Sequence, residues 1–259
     1  MKKLLTLTLS FLTFTTLQAQ EGSSVASYSN TIDSKQFRFG FFVAPTISWM
    51  KPTTNLTDDR LYKPTSEGSK VGFTYGLMAE YNFAENYAIV TGLQVNMTGG
   101  KINSEYVGAE KQNVVRDANF NYRLNYLEIP IALKLRTDNI SGFRFFGQLG
   151  LTTGFNIVKK ADYTVNYFDG NGVAQKSMGD NEKIKGTLAI APMMFTMSIG
   201  AGAEYPLNDK LAAYAGFFFN NGFAPDATNP SKYKMAYDLP FSDANTRLNN
   251  FAIRIGLFF

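Results

Sequence analysis

The sequence predicts an all-β fold, an eight-stranded antiparallel transmembrane up-and-down β-barrel. Three observations lead there. The N-terminus reads as an export signal, eight segments alternate apolar and polar residues with period two, and the connections between them alternate short and long.

Lys2 and Lys3 form a basic start, Leu4 to Leu17 is a short apolar stretch, and Leu17-Gln18-Ala19 is a small-residue cleavage site. This predicts a signal peptide over residues 1–19. The stretch is short for a membrane-spanning helix, and an uncleaved anchor is the alternative. No later segment approaches the ~20 uninterrupted apolar residues that a spanning helix needs. A membrane location therefore requires strands. Residues 20–36 are polar, with Ser and Gly and no periodicity, and read as a flexible periplasmic leader. A docking segment is the functional alternative. The barrel domain is expected over residues 37–259.

The composition excludes several functions. The chain holds 23 Phe, 14 Tyr and 22 Gly, but no Cys and no His. There is no thiol chemistry, no disulfide framework and no imidazole base or ligand. The net charge of +4 is dispersed, and the candidate loops each carry both signs. Nucleic acid is not an expected partner.

The strands follow in order. In the first, Phe37, Phe39, Phe41, Val43, Ile47 and Trp49 share one face, and Arg38, Gly40, Ala44, Thr46 and Ser48 the other, joined by Phe42. The second runs from Val71 to Phe83, with Glu80 on its polar face. The third begins at Tyr87 and sets Ile89, Leu93, Val95 and Met97 against Gly92, Gln94, Asn96 and Thr98. The fourth, Tyr122 to Arg136, changes phase. Leu124 and Tyr126 have one parity, and Leu127, Ile129, Ile131, Leu133 and Leu135 the other. This predicts a β-bulge near Tyr126. Pro130 removes a ladder donor on the inward parity.

The fifth strand, Phe143 to Val158, sets Phe145, Leu149, Leu151 and Phe155 against Arg144, Gln148, Thr152 and Asn156. The sixth is expected over Thr187 to Tyr205, with Glu204 inward, and the seventh over Leu211 to Phe223. The eighth, Leu248 to Phe259, alternates most clearly. Phe251, Ile253, Ile255, Leu257 and Phe259 oppose Asn250, Ala252, Arg254, Gly256 and Phe258. Tilted strands of about 9–11 residues already cross the hydrocarbon core.

Ala84 to Asn86, Thr137 to Gly142 and Pro206 to Lys210 are short turns. Lys51 to Lys70, Gly99 to Asn121, Lys159 to Gly186 and Ala224 to Arg247 are long, polar loops. Short periplasmic turns and four long extracellular loops are the asymmetry of an outer-membrane barrel. A soluble barrel also alternates, but with its apolar face inward. Lipid is favoured here by the dense apolar parity, the small and polar opposite parity, and aromatic strand ends (Phe37, Trp49, Tyr81, Phe83, Tyr87, Tyr205, Phe223) that suit an interfacial girdle.

The export signal, the F-x-F-G-x-x-x-A-P opening (Phe37 to Pro45), the central N-Y-L-E-I-P-I-A-L-K-L (Asn125 to Leu135) and the final strand resemble the PorT-like outer-membrane β-barrel family of Bacteroidetes. The resemblance covers essentially the whole mature chain, and its most specific part is the central stretch. It implies an eight-stranded barrel in the outer membrane and little about activity. The member that names the family is associated with gliding motility and type IX secretion, but most similar sequences have no assigned role. Phe259 also resembles the C-terminal signal read by the barrel-assembly machinery; a last lipid-facing residue is the plainer reading.

The inward parity carries Arg38, Glu80, Glu128, Lys134, Arg136, Arg144, Glu204 and Arg254. Isolated ions in a narrow lumen are costly and should pair. Hairpin geometry brings Arg38, Arg144, Glu80 and Glu204 to one level above the periplasm, with Arg254 slightly higher and Glu128 higher still. A salt-bridged lumen network is expected, structural or gating in role. The alternatives are a gated polar pore and a catalytic carboxylate pair, although eight-stranded interiors are usually filled by side chains.

Asp58-Asp59, Asp169-Gly-Asn171-Gly and Asp180-Asn-Glu182 resemble loose calcium-loop fragments without the full ligand spacing, and read more simply as turns. No phosphate-binding Gly-rich loop opens a helix, and no cofactor is expected. Loop aromatics (Tyr62, Tyr106, Tyr163, Tyr167, Phe168, Tyr233, Tyr237) could bind a partner or glycan, or cover the barrel mouth.

The expected function is a non-enzymatic outer-membrane barrel with a structural or interaction role. Its expected partners are outer-membrane lipid, the barrel-assembly machinery during insertion, and a protein reached through loops or leader. The alternatives are a channel for small or lipophilic solutes, an accessory of a secretion or surface-assembly apparatus, and an enzyme acting on lipid or peptide. Known small barrels of the enzymatic kind lean on histidine, which is absent.

Overall fold

The computed structural model describes residues 35–57, 60–110, 112–183, 190–224 and 245–259. The expected signal peptide, nearly all of the leader, Asp58-Asp59, Thr187 to Ala189, Tyr233 and Tyr237 lie outside them.

Ten strands form one antiparallel sheet: β1 (Phe37–Pro52), β2 (Tyr62–Ser66), β3 (Lys70–Ala84), β4 (Tyr87–Tyr106), β5 (Val114–Arg136), β6 (Arg144–Phe168), β7 (Ala174–Lys183), β8 (Met193–Asn208), β9 (Leu211–Gly222) and β10 (Thr246–Phe258). β2 and β7 are additions, on β4 and β6 respectively. The other eight pair with their neighbours in the ring β1-β3-β4-β5-β6-β8-β9-β10 and close through β10 on β1. This is the closed eight-stranded barrel expected from the alternation. Closure leaves no ladder edge within the ring.

The turns carry the chemistry their geometry needs. Between β5 and β6, Ser141 (φ 54°) and Gly142 (φ 89°) form a two-residue turn flanked by the Ile140–Phe143 bridge, and Asn139 Oδ1 accepts the Gly142 N–H at 2.8 Å. Two positive φ values are what such a hairpin requires, and Gly142 adopts one without strain. Between β8 and β9, Asn208 Oδ1 accepts the Lys210 N–H at 2.9 Å.

Burial alternates as the sequence predicts through the lower barrel. On β1 every second residue from Arg38 to Met50 is buried, and Phe37, Phe39, Phe41, Val43 and Ile47 are exposed. In a membrane that exposed face meets lipid. Rings pair at the short-turn end, Phe37 with Tyr81 at 4.8 Å and Phe143 with Tyr205 at 4.9 Å. They pair again towards the long-loop end, Trp49 with Phe251 at 5.4 Å and Phe195 with Phe223 at 6.2 Å.

The expected phase change in β5 is corrected. Burial keeps one parity along this strand, and Leu124, Tyr126, Glu128, Ala132, Lys134 and Arg136 all face inward. What changes at Tyr126 is polarity. Below it the outer face reads Leu135, Leu133, Ile131, Ile129, Leu127. Above it the outer face reads Asn125, Arg123, Asn121, Asn119, Asp117, while the inner face becomes Tyr126, Leu124, Tyr122, Phe120, Ala118. The outer solvent has changed from hydrocarbon to water, so the amphipathicity inverts without a register slip. A bulge does occur at this level, but the extra residue is on β6. Asn125 pairs with Val158 and Tyr126 with Asn156, leaving Ile157 over. Burial on β6 accordingly moves to Ala161 and Val165.

The expected loop from Gly99 to Asn121 is therefore largely strand, with β4 and β5 pairing up to Glu105 and Asp117. With β6, β2 and β7 they form a five-stranded extension in the order β2-β4-β5-β6-β7. Its inner face holds an apolar cluster that includes Tyr62, Ile102, Val115, Phe120, Tyr122 and Val165. Its outer face carries cross-strand polar pairs, Arg123 with Asp162 and Asn166 with Asp117. β8 begins at Met193, later than expected. As expected, Pro130 breaks a ladder. The β4–β5 pairing skips from Thr91–Ile131 to Gln94–Glu128.

Candidate functional site

Within the barrel, five of the eight inward ions converge. Arg38 opens β1 and Glu80 lies near the end of β3, where the two are register partners. Arg38 Nη2 is 2.6 Å from Glu80 Oε1 and 2.9 Å from Glu204 Oε2. Lys134 Nζ is 2.9 Å from Glu80 Oε2 and also bonds Glu204 Oε1. Arg136 Nη1 is 3.0 Å from Glu80 Oε1 and 3.7 Å from Glu204 Oε2. Two carboxylates are thus shared by three cations. Arg38 is 0% exposed, Glu80 1%, Glu204 1% and Lys134 2%. Such buried charges persist only when paired and hydrogen-bonded. Arg144, the register partner of Glu204, stands half-buried at the edge of the cluster.

Aromatic rings cap it. Phe258 lies 4.4 Å from the Arg38 guanidinium carbon and 4.9 Å from Lys134 Nζ, and Phe146 lies 4.5 Å from Lys134 Nζ. With Phe42, Tyr214 and Phe218 these rings form one buried cluster. Small residues make room for them: a Cβ on Gly202 would stand 2.6 Å from Phe146 Cζ.

Glu128 and Arg254 are not part of that cluster. Glu128 is held by amides, accepting Asn96 Nδ2 at 2.7 Å and Gln94 Nε2. Arg254 is sandwiched between Phe218 at 4.3 Å and Phe42 at 4.9 Å, and makes no ion pair within 4.0 Å among the described residues. The inward ions therefore form a five-membered cluster with Arg144 at its edge, and above it an amide-held Glu128 and a ring-held Arg254. Gln94 and Asn96 were not anticipated as partners. Their signal was the hairpin register, which sets Gln94 opposite Glu128.

Among the described residues, two small cavities lie between these layers. A cavity of about 10 Å³ touches Glu128, Asn96, Thr196, Asn250 and Arg254, and another of about 20 Å³ touches Gln94, Lys134, Gln148, Tyr214 and Arg254. Each has room for about one water.

Outside the barrel, Asp169 shapes the tip between β6 and β7. Its Oδ1 accepts the N–H groups of Asn171 and Val173, both at 2.9 Å, and Oδ2 accepts Gln175 Nε2 at 3.3 Å. These bonds, the Val173 N–H first, hold its carboxyl below the usual carboxylate range. The carboxylate is a turn cap. Tyr106, Tyr163 and Tyr167 pack against the apolar cluster of the extension. Phe259 is half-exposed, and its N–H donates to Phe39 O at 2.7 Å.

Residues 18–225 match the model of the outer membrane protein beta-barrel domain. No curated protein matches the chain. Solved structures similar to it include Neisserial surface protein A, at 11% identity and a TM-score of 0.42, covering 87% of this chain and 98% of that one. OprG from Pseudomonas aeruginosa is similar at 15% identity and a TM-score of 0.36, covering 86% and 95%. The outer membrane protease OmpT from Escherichia coli is similar at 10% identity and a TM-score of 0.35, covering 86% and 96%. The family match spans most of the chain, and the lipid-facing ring agrees with it: the chain belongs to the outer membrane protein β-barrel domain family and resides in the outer membrane.

Proposed function

We propose that the protein is a non-enzymatic, closed barrel with a structural or interaction role, exported by the signal over residues 1–19 and presenting its five-stranded extension outside the cell. The observation that carries this reading is the dense packing of the lumen among the described residues, where cavities of about 10 and 20 Å³ each suit one water. Both carboxylates of the lower cluster are engaged by the same three cations, which leaves neither poised as a base or nucleophile.

The finer affiliation to the PorT-like barrels of Bacteroidetes rests on the Asn125 to Leu135 stretch. It makes an accessory role in secretion or surface assembly the first form of interaction to examine. In that reading the polar outer face of the extension, with Asn103, Asn119 and Arg123, meets the protein partner. The lumen network of Arg38, Glu80, Lys134, Arg136 and Glu204 then closes and stiffens the base.

Liposome swelling tests the closed state. Proteoliposomes of the refolded protein should swell in small sugars no faster than empty liposomes. Swelling at rates comparable to those of an open porin would favour the transport reading instead.

A further inference from the structure

We propose that the outer wall over β1, β10, β9 and β8 is a binding site for a phosphorylated lipid of the outer leaflet, its acyl chain in an apolar groove and its headgroup on Lys51 and Arg247. The proposal is independent of the role assigned above.

The groove comes first. A concavity of about 650 Å³ lies on the lipid-facing wall, lined chiefly by Ile47, Ile199, Ala201, Phe217, Phe251 and Ile253. Its size falls in the ~300–1,000 Å³ range of small-ligand sites. Two local features lie along it. Pro45 has no N–H to give β10, and the β1–β10 pairing skips from Val43–Ile255 to Thr46–Ala252. Ala201, opposite Phe217, adds little bulk to the wall.

At the upper rim of the groove the wall is aromatic. Phe219 and Phe251 lie 5.0 Å apart, and Trp49 covers both at 6.3 and 5.4 Å. Next to Trp49, Asn221 Nδ2 donates to Asn249 Oδ1 at 3.0 Å. One step higher stand Lys51 and Arg247, which are register partners and both exposed. Like charges directly opposite across a ladder repel. They are nevertheless held together, because the ladder continues through Pro52–Thr246 and the Thr53 N–H donates to Asn245 O at 2.8 Å. Among the described residues neither cation has an acidic partner within 4.0 Å. A phosphomonoester carries the charge to neutralise both.

The vertical order on this wall is apolar groove, aromatic ring, amide pair, cation pair. A phosphorylated lipid has the matching order of chain, linkage and phosphate. A merely solvated cation pair would not require a groove beneath it.

Trp49 is the chain's one tryptophan, and it stands between groove and cations. It therefore reports occupancy directly. The full chain is refolded into mixed vesicles containing either brominated phosphatidic acid or brominated phosphatidylcholine at equal low fraction. Phosphatidic acid is expected to be at least fivefold enriched over phosphatidylcholine around Trp49, as read from quenching. The double variant Lys51→Gln/Arg247→Gln should lose that enrichment, Ala201→Phe should reduce it by filling the groove, and Lys101→Gln should leave it unchanged. Equal quenching by the two lipids overturns the proposal, as does enrichment that survives the double variant. If inorganic phosphate alone shifts Trp49 emission in zwitterionic vesicles, the site takes free phosphate and the lipid assignment is wrong. The heat-dependent gel shift checks that each variant is folded. Should the double variant fail that check, the two-lipid comparison on the unaltered protein decides.

Discussion

Arg38 reaches Glu204, 166 positions along the chain, with Nη2 2.9 Å from Oε2, although its backbone partner is Glu80. The contact ties β1 to β8 through the lumen, three strands round the ring. It makes the lower cluster a cross-brace in addition to a set of neighbour pairs.

Removing one acid should therefore be costly. Glu204→Gln leaves Arg38, Lys134 and Arg136 facing one carboxylate, and breaking a buried ion pair costs about 3–5 kcal/mol. Lys134→Met should cost clearly less. It leaves two arginines for two acids and places an apolar chain against Phe146 and Phe258. Equilibrium unfolding into urea with lipid vesicles, followed by the gel shift, ranks the two variants. Equal losses would argue against a shared cluster.

The position of the outer interface on β5 gives a second expectation. Ile131 lies midway along the apolar run from Leu135 to Leu127 and is 61% exposed to the lipid side. Ile131→Arg should cost about 2–4 kcal/mol, the range for a charge at the bilayer midplane. Asn119→Arg, on the same outer face but above Asn125 and facing the Glu67 carboxylate, should change stability by less than about 0.5 kcal/mol. The same unfolding assay reads both. A large loss at Asn119 would move the interface upward.

That interface also explains which parts of the fold were legible in the sequence. Below it, apolar residues face lipid on every strand, so parity read directly as inside or outside. Above it the sign of the pattern inverts, and a reading that sends every apolar residue to lipid mistakes Leu124 and Tyr126 for a slip. The extra residue, Ile157, was hidden because β6 alternates correctly on each side of it. The inward ions were legible as a set, since parity fixes the face. Parity does not fix reach or rotamer. Nothing local to Arg254 indicated that rings, and not Glu80 or Glu204, would surround it.

Packing of Phe146 supplies a third test. Gly202 and Gly216 stand beneath the ring, and a Cβ on them would lie 2.6 and 3.1 Å from its Cζ. Gly202→Val should destabilise by about 1–3 kcal/mol through overpacking. Gly147→Ala, with nothing within 4 Å of the added carbon, should be neutral or slightly stabilising.

The β6–β7 tip should respond to acid. The Asn171 and Val173 N–H groups hold the Asp169 carboxyl below its usual range, so its bonds stabilise the turn above the ordinary Asp value of ~3.9. That contribution is lost as pH falls through the lower, folded value. The Asn171 and Val173 amide resonances, followed by NMR in micelles, should titrate together with a midpoint below ~3.9. Asp169→Ala should abolish the transition.

The closed lumen is tested most directly by single-channel conductance of the purified, refolded protein in planar bilayers. Silent bilayers are expected for the unaltered barrel, because the cluster of Arg38, Glu80, Lys134, Arg136 and Glu204 and the rings above it cross the lumen, with cavities of about 10 and 20 Å³ beside them among the described residues. Stable, reproducible conductance steps from the folded, heat-modifiable protein would contradict a closed lumen.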